Sequence, residues 1–394
     1  MESLAIIIHK LNGGGAERVA SNLSIELSNK YRIVLIVFDG SNMTYPYSGI
    51  LYDLQLPAQR GLIRKVLTAI KRIYLVRRIK KRENVTCSIS LLDGPNLVNL
   101  LSRTGDRVIV SIRNYLSHER VGLLRRLTIK FVCKHSNRII SISKNVKNDL
   151  VSNFNIPPEK ISVIYNSCDG DRLIRLAEDG EYLPVDFMNG HNYIVTAGRL
   201  TEQKGHWHLL RAFKEVVTRR PNSRLIILGD GELRDALVNL SKELGIDEHV
   251  IFAGYVRNPH GIIKRCDVFA FSSLYEGLGN VLLEALAMGK AIVSTDCDAG
   301  PREILAPITP CGKKTDSLEL GEFGILVPVG TRKWLSAHDP LTKDETCLAE
   351  AICLLLENKE LRRAYEEKAV LRSYDFSPDK ITKLWQEVID DQRI

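Results

Sequence analysis

Short apolar segments alternate with longer segments of helical periodicity along the first half of the chain. Each apolar segment has about five to seven residues and is rich in Ile and Val, as expected of strands buried on both faces. Helix-length segments such as Ala16–Ser28 and Lys144–Phe154 lie between most of them. This alternation predicts a parallel, doubly wound α/β sheet. The predicted strands are Leu4–Ile8, Arg32–Phe38, Val85–Leu91, Arg107–Ile112, Arg138–Ile142 and Ile161–Tyr165.

An acidic stretch that contains Gly and Pro, Ala177–His191, interrupts this pattern, and we predict a linker there. The alternation then resumes, which predicts two Rossmann-like domains, residues 1–180 and 190–375, facing a central cleft. Open α/β sheets bind ligands at the carboxyl ends of their strands, so the cleft is the expected binding site. The strands predicted in the second domain are Tyr193–Ala197, Arg224–Leu228, Val250–Ala253, Val268–Phe271, Ala291–Thr295 and Gly324–Val327.

Beyond Leu348 the pattern is almost purely helical. The last part of it, residues 376–394, predicts an amphipathic C-terminal helix. We expect its apolar face to pack back on the N-terminal domain. The side chains of that face are Ile381, Leu384, Trp385 and Val388.

Length and composition agree with this organisation. The 394 residues suit two domains, and 44% hydrophobic with 26% charged residues is a globular balance. The eight Cys are scattered, with no CxxC pair and no Cys/His cluster at zinc spacing. The apolar run Leu4–Ile8 is too short for a secretory signal, and no run reaches the roughly 18 residues that span a bilayer. We therefore expect reduced thiols and a cytoplasmic location.

The net charge of +8 is unevenly distributed. Residues 1–190 carry 28 Lys and Arg against 17 Asp and Glu, or +11, and the remainder carries 27 against 30, or −3. Ten Lys or Arg fall within Arg60–Arg82, interleaved with apolar residues at helical spacing, and a second basic patch runs from Arg120 to Arg138. An interfacial helix on anionic lipid and a core helix with a solvated basic face both fit this pattern. We expect no nucleic-acid partner, because no recognised nucleic-acid module accompanies the charge.

The most informative segment is Phe271–Ile304, where a strand leads through a loop into a helix. Gly277 and Gly279 would let a ligand approach unpaired backbone N–H groups at the helix start, which favours an anion such as a diphosphate. Glu276 and Glu284 would lie about 12 Å apart if the segment were mostly helical. One carboxylate could then meet a sugar hydroxyl and the other the ribose of one nucleotide sugar. Two surface glutamates beside glycines are the alternative.

Two further strand-end loops carry glycines. In Thr196–Gly205, the cations Arg199 and Lys204 would neutralise a diphosphate and stabilise the charge that builds up as it leaves. A solvated basic loop is the alternative. Gly229 and Gly231 follow another predicted strand and, taken alone, form an ordinary tight turn.

Taken together, these segments resemble the C-terminal half of glycosyltransferase family four, a large retaining family with the GT-B fold. The family pattern is a Gly-Arg-Leu…Lys-Gly loop, a Gly-x-Gly turn, a Ser-x-x-Glu-Gly-x-Gly-x-x-x-x-Glu-Ala-x-Ala-x-Gly segment and a Gly-Pro-x-Glu turn. The N-terminal half matches more weakly, through Gly13–Glu17, Ser141–Ser143 and Ile164–Asp169. The C-terminal matches, in order and spacing, are Gly198–Gly205, Gly229–Leu233, Ser273–Gly289 and Gly300–Ile304.

The resemblance implies a role for each matched residue. Arg199 and Lys204 would grip the donor diphosphate. Glu284 would hold the ribose hydroxyls and Glu276 the sugar hydroxyls. Retaining transfer by front-face attack needs positioning and charge stabilisation, with no protein nucleophile. The other donor-binding residues implied are Leu278, Gly279 and Asn280 through backbone N–H groups, Gly198, Gly229 and Gly231 in the flanking loops, and Gly14 and Gly15 from the opposite domain.

One departure concerns a histidine that many members carry at the end of the fourth N-terminal strand, near the reacting carbon. Here the segment Ser111–Tyr115 reads SIRNY, so Arg113 and Asn114 stand near that place. His118, which follows shortly after, is the candidate catalytic histidine. A surface or loop histidine is the alternative, and Arg113 is the other residue that would take its place.

The tripeptide Asp296–Cys297–Asp298 resembles the DXD motif that holds a divalent metal in the other large glycosyltransferase fold. Here it follows the strand after the Glu-bearing helix, in a turn that the family shares. We therefore interpret it as part of a turn. We predict no bound metal and no cofactor beside the nucleotide-sugar substrate.

The sequence thus predicts a metal-independent, retaining hexosyltransferase of bacterial polysaccharide or lipid-linked glycan synthesis, peripheral on the inner face of the cell membrane. It would move a hexose or N-acetylhexosamine from a UDP-sugar to a lipid-linked saccharide, with an anionic membrane surface as a further partner. Two alternatives are a UDP-sugar 2-epimerase, which shares the double Rossmann build, and a non-catalytic nucleotide-sugar-binding subunit. The Glu276/Glu284 spacing together with the Arg199/Lys204 loop disfavours the epimerase.

Overall fold

A computed structural model describes residues 1–117, 122–178 and 187–391. The chain divides into two compact units, residues 1–167 with 378–394 and residues 168–377. Each unit has a seven-stranded sheet of its own. In the described part of the chain, every helix is too short or too polar to cross a lipid bilayer.

Seven parallel strands form the sheet of the first unit: β1 (Ser3–Ile8), β2 (Arg32–Val37), β3 (Ile50–Asp53), β4 (Val85–Leu91), β5 (Arg107–Ile112), β6 (Arg138–Ser141) and β7 (Ile161–Val163). Their order is β3-β2-β1-β4-β5-β6-β7. Six of them lie where the apolar pattern predicts strands. The prediction missed β3, because this edge strand has only four residues and its side chains are half-buried or exposed.

The helices of the first unit connect these strands in sequence order: α1 (Gly15–Glu26), α2 (Leu62–Arg82), α3 (Asp93–Leu101), α4 (Leu123–His135) and α5 (Lys144–Phe154). Helix α3 packs against both α2 and α4. Right-handed crossovers place these three helices on one face of the sheet, while α1 covers the other.

The sheet of the second unit contains β8 (Asn192–Ala197), β9 (Ser223–Leu228), β10 (Val250–Gly254), β11 (Val268–Phe271), β12 (Ala291–Thr295), β13 (Glu319–Leu320) and β14 (Ile325–Val327). Their order is β10-β9-β8-β11-β12-β14-β13, and β13 is antiparallel to its neighbour. All but β13 are predicted by the sequence; its two residues form too short a segment to show a pattern. We term residues 198–205 the β8 loop and residues 272–279 the β11 loop.

Eight helices of the second unit surround this sheet in the described residues: α6 (Gly170–Glu178), α7 (His206–Arg219), α8 (Arg234–Glu243), α9 (His260–Arg265), α10 (Asn280–Ala287), α11 (Pro301–Leu305), α12 (Lys343–Glu357) and α13 (Lys359–Ser373). Helix α6 extends into the start of the predicted linker, whose residues 179–186 lie outside the described residues.

The chain ends with α14 (Pro378–Asp390), which belongs to the first unit. Its Ile381 and Trp385 are buried in the same core as side chains of β1 and α1. Leu384, which the periodicity assigns to the buried face, is 38% exposed, and that prediction is wrong. The buried face turns instead toward Ile389, which is 4% exposed.

Candidate functional site

The β8 and β11 loops lie side by side, because β8 and β11 are adjacent parallel strands whose carboxyl ends meet at one edge. The Ser272 hydroxyl donates to the Lys204 carbonyl at 2.9 Å. The Leu274 N–H donates to the Gln203 carbonyl at 2.8 Å, and the Gln203 amide donates to the Tyr275 carbonyl at 3.0 Å. These three hydrogen bonds fix two segments that are far apart in sequence.

Lys204 and Glu276 form a salt bridge between the two loops. The Lys204 Nζ lies 2.6 Å from Glu276 Oε1, and the side chains are 18% and 8% exposed. The Gln203 amide nitrogen lies 3.4 Å from the other carboxylate oxygen. The sequence predicts that the cation binds the diphosphate and the carboxylate binds the sugar. The structure joins them, so removing one leaves the other as a largely buried, unbalanced charge.

Arg199, also on the β8 loop, has surroundings different from those of Lys204. Its side chain is exposed, and in the described part of the chain no carboxylate lies within salt-bridge distance of it. A guanidinium in this state can offer its donor groups to an incoming anion. The two predicted diphosphate cations therefore differ in kind.

The turn formed by Gly229 and Gly231 supports the β8 loop from behind. A Cβ on Gly229, where φ is +146°, would overlap the Gly198 carbonyl, and one on Gly231 would overlap the Leu200 backbone. The Leu200 N–H donates to the Asp230 carbonyl at 2.9 Å. Only glycine permits this close backbone approach, so the turn holds the loop that carries Arg199 in place.

The β11 loop ends at Gly279, whose φ of +86° lies in the left-handed region. Helix α10 begins at Asn280, and its N-cap, Gly279, has no side chain that could accept from the N–H groups of the first turn. Leu278, just before this start, is buried. Since Glu276 lies in the loop and not in the helix, the spacing of about 12 Å that assumed a helical segment does not apply.

Glu284, on α10, faces a histidine that no sequence motif indicates. Its Oε2 lies 3.7 Å from Nε2 of His260, the buried first residue of α9. The Asn258 amide nitrogen donates to the Leu176 carbonyl at 2.7 Å, so its oxygen accepts from His260 Nδ1 at 2.8 Å. Only the imidazolium form would then present a proton to Glu284. No spacing rule links these residues, which come together through packing of α9 on α10.

Asp296 and Asp298 are both held by basic side chains. The buried Arg302 lies 2.6 Å from Asp296 and 3.0 Å from Glu319, and Lys314 lies 2.8 Å from Asp298. The Arg302 guanidinium lowers the pKa of Glu319 to about 2. In the described residues, no group of three His, Cys, Asp or Glu is arranged to hold a metal ion. The two aspartates are part of a charge network that fixes the turn after β12.

Gly14 and Gly15 lie where β1 gives way to α1. Gly14 is the N-cap of the helix and Gly15 its first residue. A Cβ on Gly14 would overlap the Glu17 carboxylate, which therefore folds over this glycine. A carboxylate in the first turn of a helix is stabilised by the helix dipole.

Arg113 follows β5 and is buried. It donates to the side-chain oxygen of Asn166, which lies in the family landmark at residues 164–169, and to the Ser111 hydroxyl at 3.4 Å. Burial lowers the pKa of Arg113 to about 10, and the nearby Glu17 opposes the shift. His118 lies outside the described residues. Arg113 is thus the cation that the structure describes near this strand end.

Helix α2 buries only part of its second half. Arg72 donates to the Leu56 carbonyl and lies 4.4 Å from the centre of the Phe38 ring. Lys80 is fully buried and lies 2.7 Å from Asp106. The first half of the helix, by contrast, exposes its apolar side chains to solvent, which excludes a core helix there. These exposed residues are Leu62, Ile63, Val66, Leu67 and Ile70.

Comparison with known sequences places both halves of the chain in one group of enzymes. Residues 13–172 match the sequence model of Glycosyltransferase Family 4, and residues 185–309 match that of Glycosyl transferases group 1. An uncharacterized glycosyltransferase of Methanocaldococcus jannaschii is 33% identical over 340 residues, covering 82% of this chain and 83% of that protein. The N-acetylgalactosamine-N,N'-diacetylbacillosaminyl-diphospho-undecaprenol 4-alpha-N-acetylgalactosaminyltransferase of Campylobacter jejuni is 30% identical, covering 97% and 98%.

Solved structures show the same fold. HepE of Anabaena, solved in complex with UDP and glucose, superposes with a TM-score of 0.77 at 17% identity and covers 99% of both chains. A glycosyltransferase of Rickettsia africae superposes with a TM-score of 0.75 at 15% identity, covering 99% of this chain and 98% of that one. The GT-B fold predicted from the sequence is confirmed.

Proposed function

The chain belongs to glycosyltransferase family 4 and has the GT-B fold, and from this premise we propose that it transfers a hexose or N-acetylhexosamine from a UDP-sugar to a lipid-linked saccharide, with retention of configuration and without a metal. The Campylobacter jejuni relative, similar over nearly its whole length, carries a diphospho-undecaprenol acceptor in its name. HepE of Anabaena binds UDP. Both support this choice of donor and acceptor class.

The observation that carries the proposal is the Lys204–Glu276 salt bridge, with the exposed Arg199 on the same loop. Arg199 would bind the donor diphosphate directly. Lys204 would orient Glu276 toward the sugar hydroxyls and lend its remaining donors to the phosphate. Charge that develops on the leaving diphosphate is thereby stabilised by groups already in place, which is how a site without a nucleophile accelerates transfer.

The other donor contacts follow the family pattern. The backbone N–H groups at the start of α10, from Leu278 to Asn280, would meet phosphate or sugar oxygens. Glu284 would hold the ribose. Gly14 and Gly15 are further predicted donor-binding residues, and Arg113 or His118 is the residue predicted to take the role of the family histidine.

Location at the cytoplasmic face of the membrane is part of the same proposal. A lipid-linked acceptor is presented at a bilayer surface, and α2 exposes seven Lys or Arg together with apolar residues. Each Lys or Arg close to an anionic leaflet contributes about 1 kcal/mol of attraction. Even three or four such contacts would localise the enzyme.

A two-step experiment tests the function. Thermal-shift measurements with UDP-GalNAc, UDP-GlcNAc, UDP-Gal and UDP-Glc should single out one donor, because a ligand that binds the folded state raises its stability by mass action. That donor is then incubated with short-chain lipid diphosphate saccharides, and the anomeric configuration of the product is read by NMR. An inverted product would refute retention.

The same assays address the two alternatives. A UDP-sugar 2-epimerase would convert the donor alone into its epimer. A non-catalytic subunit would bind the donor without turnover when acceptor is added. Donor consumption that depends on acceptor would exclude both.

A further inference from the structure

The N-terminal end of α4 exposes a second apolar surface in the first unit. Leu123 is 72% exposed, Leu124 82% and Leu127 54%. The helix also carries Arg125, Arg126, Lys130 and Lys134 and no acidic residue. It therefore combines the same chemistry as the first half of α2, in which Leu62 is 79% exposed.

Two contacts place both helix ends at one edge of the sheet. Arg72 of α2 lies over the ring of Phe38, the residue that follows β2. Arg125 of α4 lies 2.7 Å from Asp93, which comes shortly after β4. Both cations therefore mark the level of the carboxyl ends of the strands, and the residues that precede them in each helix lie at or beyond this edge.

The first half of α2 projects well past the sheet. Residues 62–71 precede Arg72 and, at 1.5 Å per residue, extend about 15 Å. The buried residues of α2 are Arg72, Val76, Ile79 and Lys80, all in its second half. Leu123 and Leu124 precede Arg125 and extend a shorter distance in the same direction. Since α3 packs between the two helices, their projecting ends are separated by about 20 Å, twice the usual interhelical distance.

The charge of the projecting helix ends indicates which kind of surface they contact. Arg64, Lys65 and Lys71 on α2 are exposed, Arg125 on α4 is exposed and paired with Asp93 of α3, and neither α2 nor α4 contains Asp or Glu. Two helix ends with basic and apolar side chains and no acidic side chain of their own suit an anionic lipid surface better than a protein surface of mixed charge. The same edge carries Gly14 and Arg113, at the ends of β1 and β5, on the side where the acceptor would bind.

We propose that the projecting ends of α2 and α4 form one two-point membrane anchor that inserts leucine side chains into the acyl boundary of an anionic bilayer. This inference rests on the proposed function in one respect: the anchor would bring a lipid-linked acceptor to the carboxyl-end edge of the sheet in the first unit. Insertion differs from adsorption by charge alone, because buried apolar contacts persist when salt screens the Coulomb attraction.

The test compares wild type with Leu123→Glu/Leu124→Glu in co-sedimentation with vesicles of phosphatidylglycerol and phosphatidylcholine. The matched control is Leu371→Glu on α13 of the second unit, a leucine that is 68% exposed. Wild type and control should retain a bound fraction at about 0.5 M salt, where the Debye length falls to roughly 4 Å. The α4 variant should partition at least about tenfold more weakly, the factor expected when burial of even one leucine is lost.

Complete release of wild type by salt would overturn the proposal, and so would equal partitioning of wild type and the α4 variant. A second readout is Leu67→Trp and Leu124→Trp, each quenched by brominated lipids above the background of the native tryptophans. Absence of quenching at either position would exclude a two-point anchor. Donor turnover with a detergent-solubilised acceptor, measured on the same proteins, tests the proposed function separately, because it requires no bilayer.

Discussion

The strand-end loops of the second unit and the projecting helix ends of the first unit contain similar residues in opposite circumstances. In the former, Lys204 is paired with Glu276 and Gly229 is packed against backbone. In the latter, Arg64 and Lys65 are exposed beside leucines that are themselves exposed. Cations that bind one small ligand must be positioned in advance, whereas cations that meet a fluid surface need only be present. Arg199, exposed but carried by a rigid loop, stands between these cases.

The largest expected effect is the loss of turnover when a cation of the β8 loop is removed. Arg199→Ala and Lys204→Ala should each lower kcat by on the order of 10²-fold or more, as loss of a group that stabilises developing negative charge does. Steady-state rates with saturating donor and acceptor measure this. Near-wild-type turnover of either variant would remove it from the site. Arg64→Ser/Lys65→Ser/Lys71→Ser should leave turnover with a detergent-solubilised acceptor unchanged and serves as the control.

The second effect separates the two cations by stability. Lys204→Ala leaves Glu276 largely buried without its partner, which should cost on the order of 3 kcal/mol, while Arg199→Ala removes an exposed, unpaired charge and should change the melting temperature little. The sequence predicts the same role for both cations, and the salt bridge is the reason that their variants should differ in stability.

A double variant tests whether the salt bridge causes this difference in stability. Lys204→Met/Glu276→Gln removes both charges, so it should recover most of the stability that Lys204→Ala loses while turnover stays low. Equal melting temperatures for Lys204→Ala and Arg199→Ala would show that the bridge contributes little.

Most of the fold and the position of the donor loops could be predicted from sequence because both depend on local patterns. Buried parallel strands appear as continuous apolar runs, and only the short strands β3 and β13 lack that signal. The Lys204–Glu276 and Glu284–His260 contacts could not be predicted, because each joins segments that become neighbours only when the strands and helices are packed.

The environment of an apolar helix face is also hidden from periodicity. The spacing of leucines in α2 fits a core helix and an interfacial membrane-binding helix equally well. The exposure of Leu62 and Leu67 argues against a core position. Likewise Arg72 and Lys80 count as surface charge in the sequence, although both are buried. A membrane-binding variant should therefore omit them.

A smaller effect concerns the pH dependence of stability, through His9, whose pKa is lowered in part by Arg72 of α2. His9 lies at the end of β1, where burial, Arg72 and Lys10 lower its pKa to about 4 from 6.5. The unfolded chain thus binds more protons than the folded one between these values, so stability should fall as pH decreases from about 6.5 to 4. In His9→Gln the melting temperature should depend less steeply on pH across this window. An unchanged slope would mean that His9 titrates alike in both states.

The smallest effect should come from metal removal. Carboxylates bind a divalent cation at a diphosphate only when their lone pairs are available, and here Asp296 is engaged by Arg302 and Asp298 by Lys314. Turnover should therefore survive EDTA, since Arg199 and Lys204 supply the positive charge that a metal would otherwise provide. Asp298→Asn, which removes the more exposed of the two carboxylates, should change neither turnover nor its response to EDTA. Loss of activity in EDTA with rescue by Mn²⁺ would show instead that a metal ion displaces Lys314 from Asp298. The positive charge at the diphosphate would then come from a metal as well as from the cations of the β8 loop.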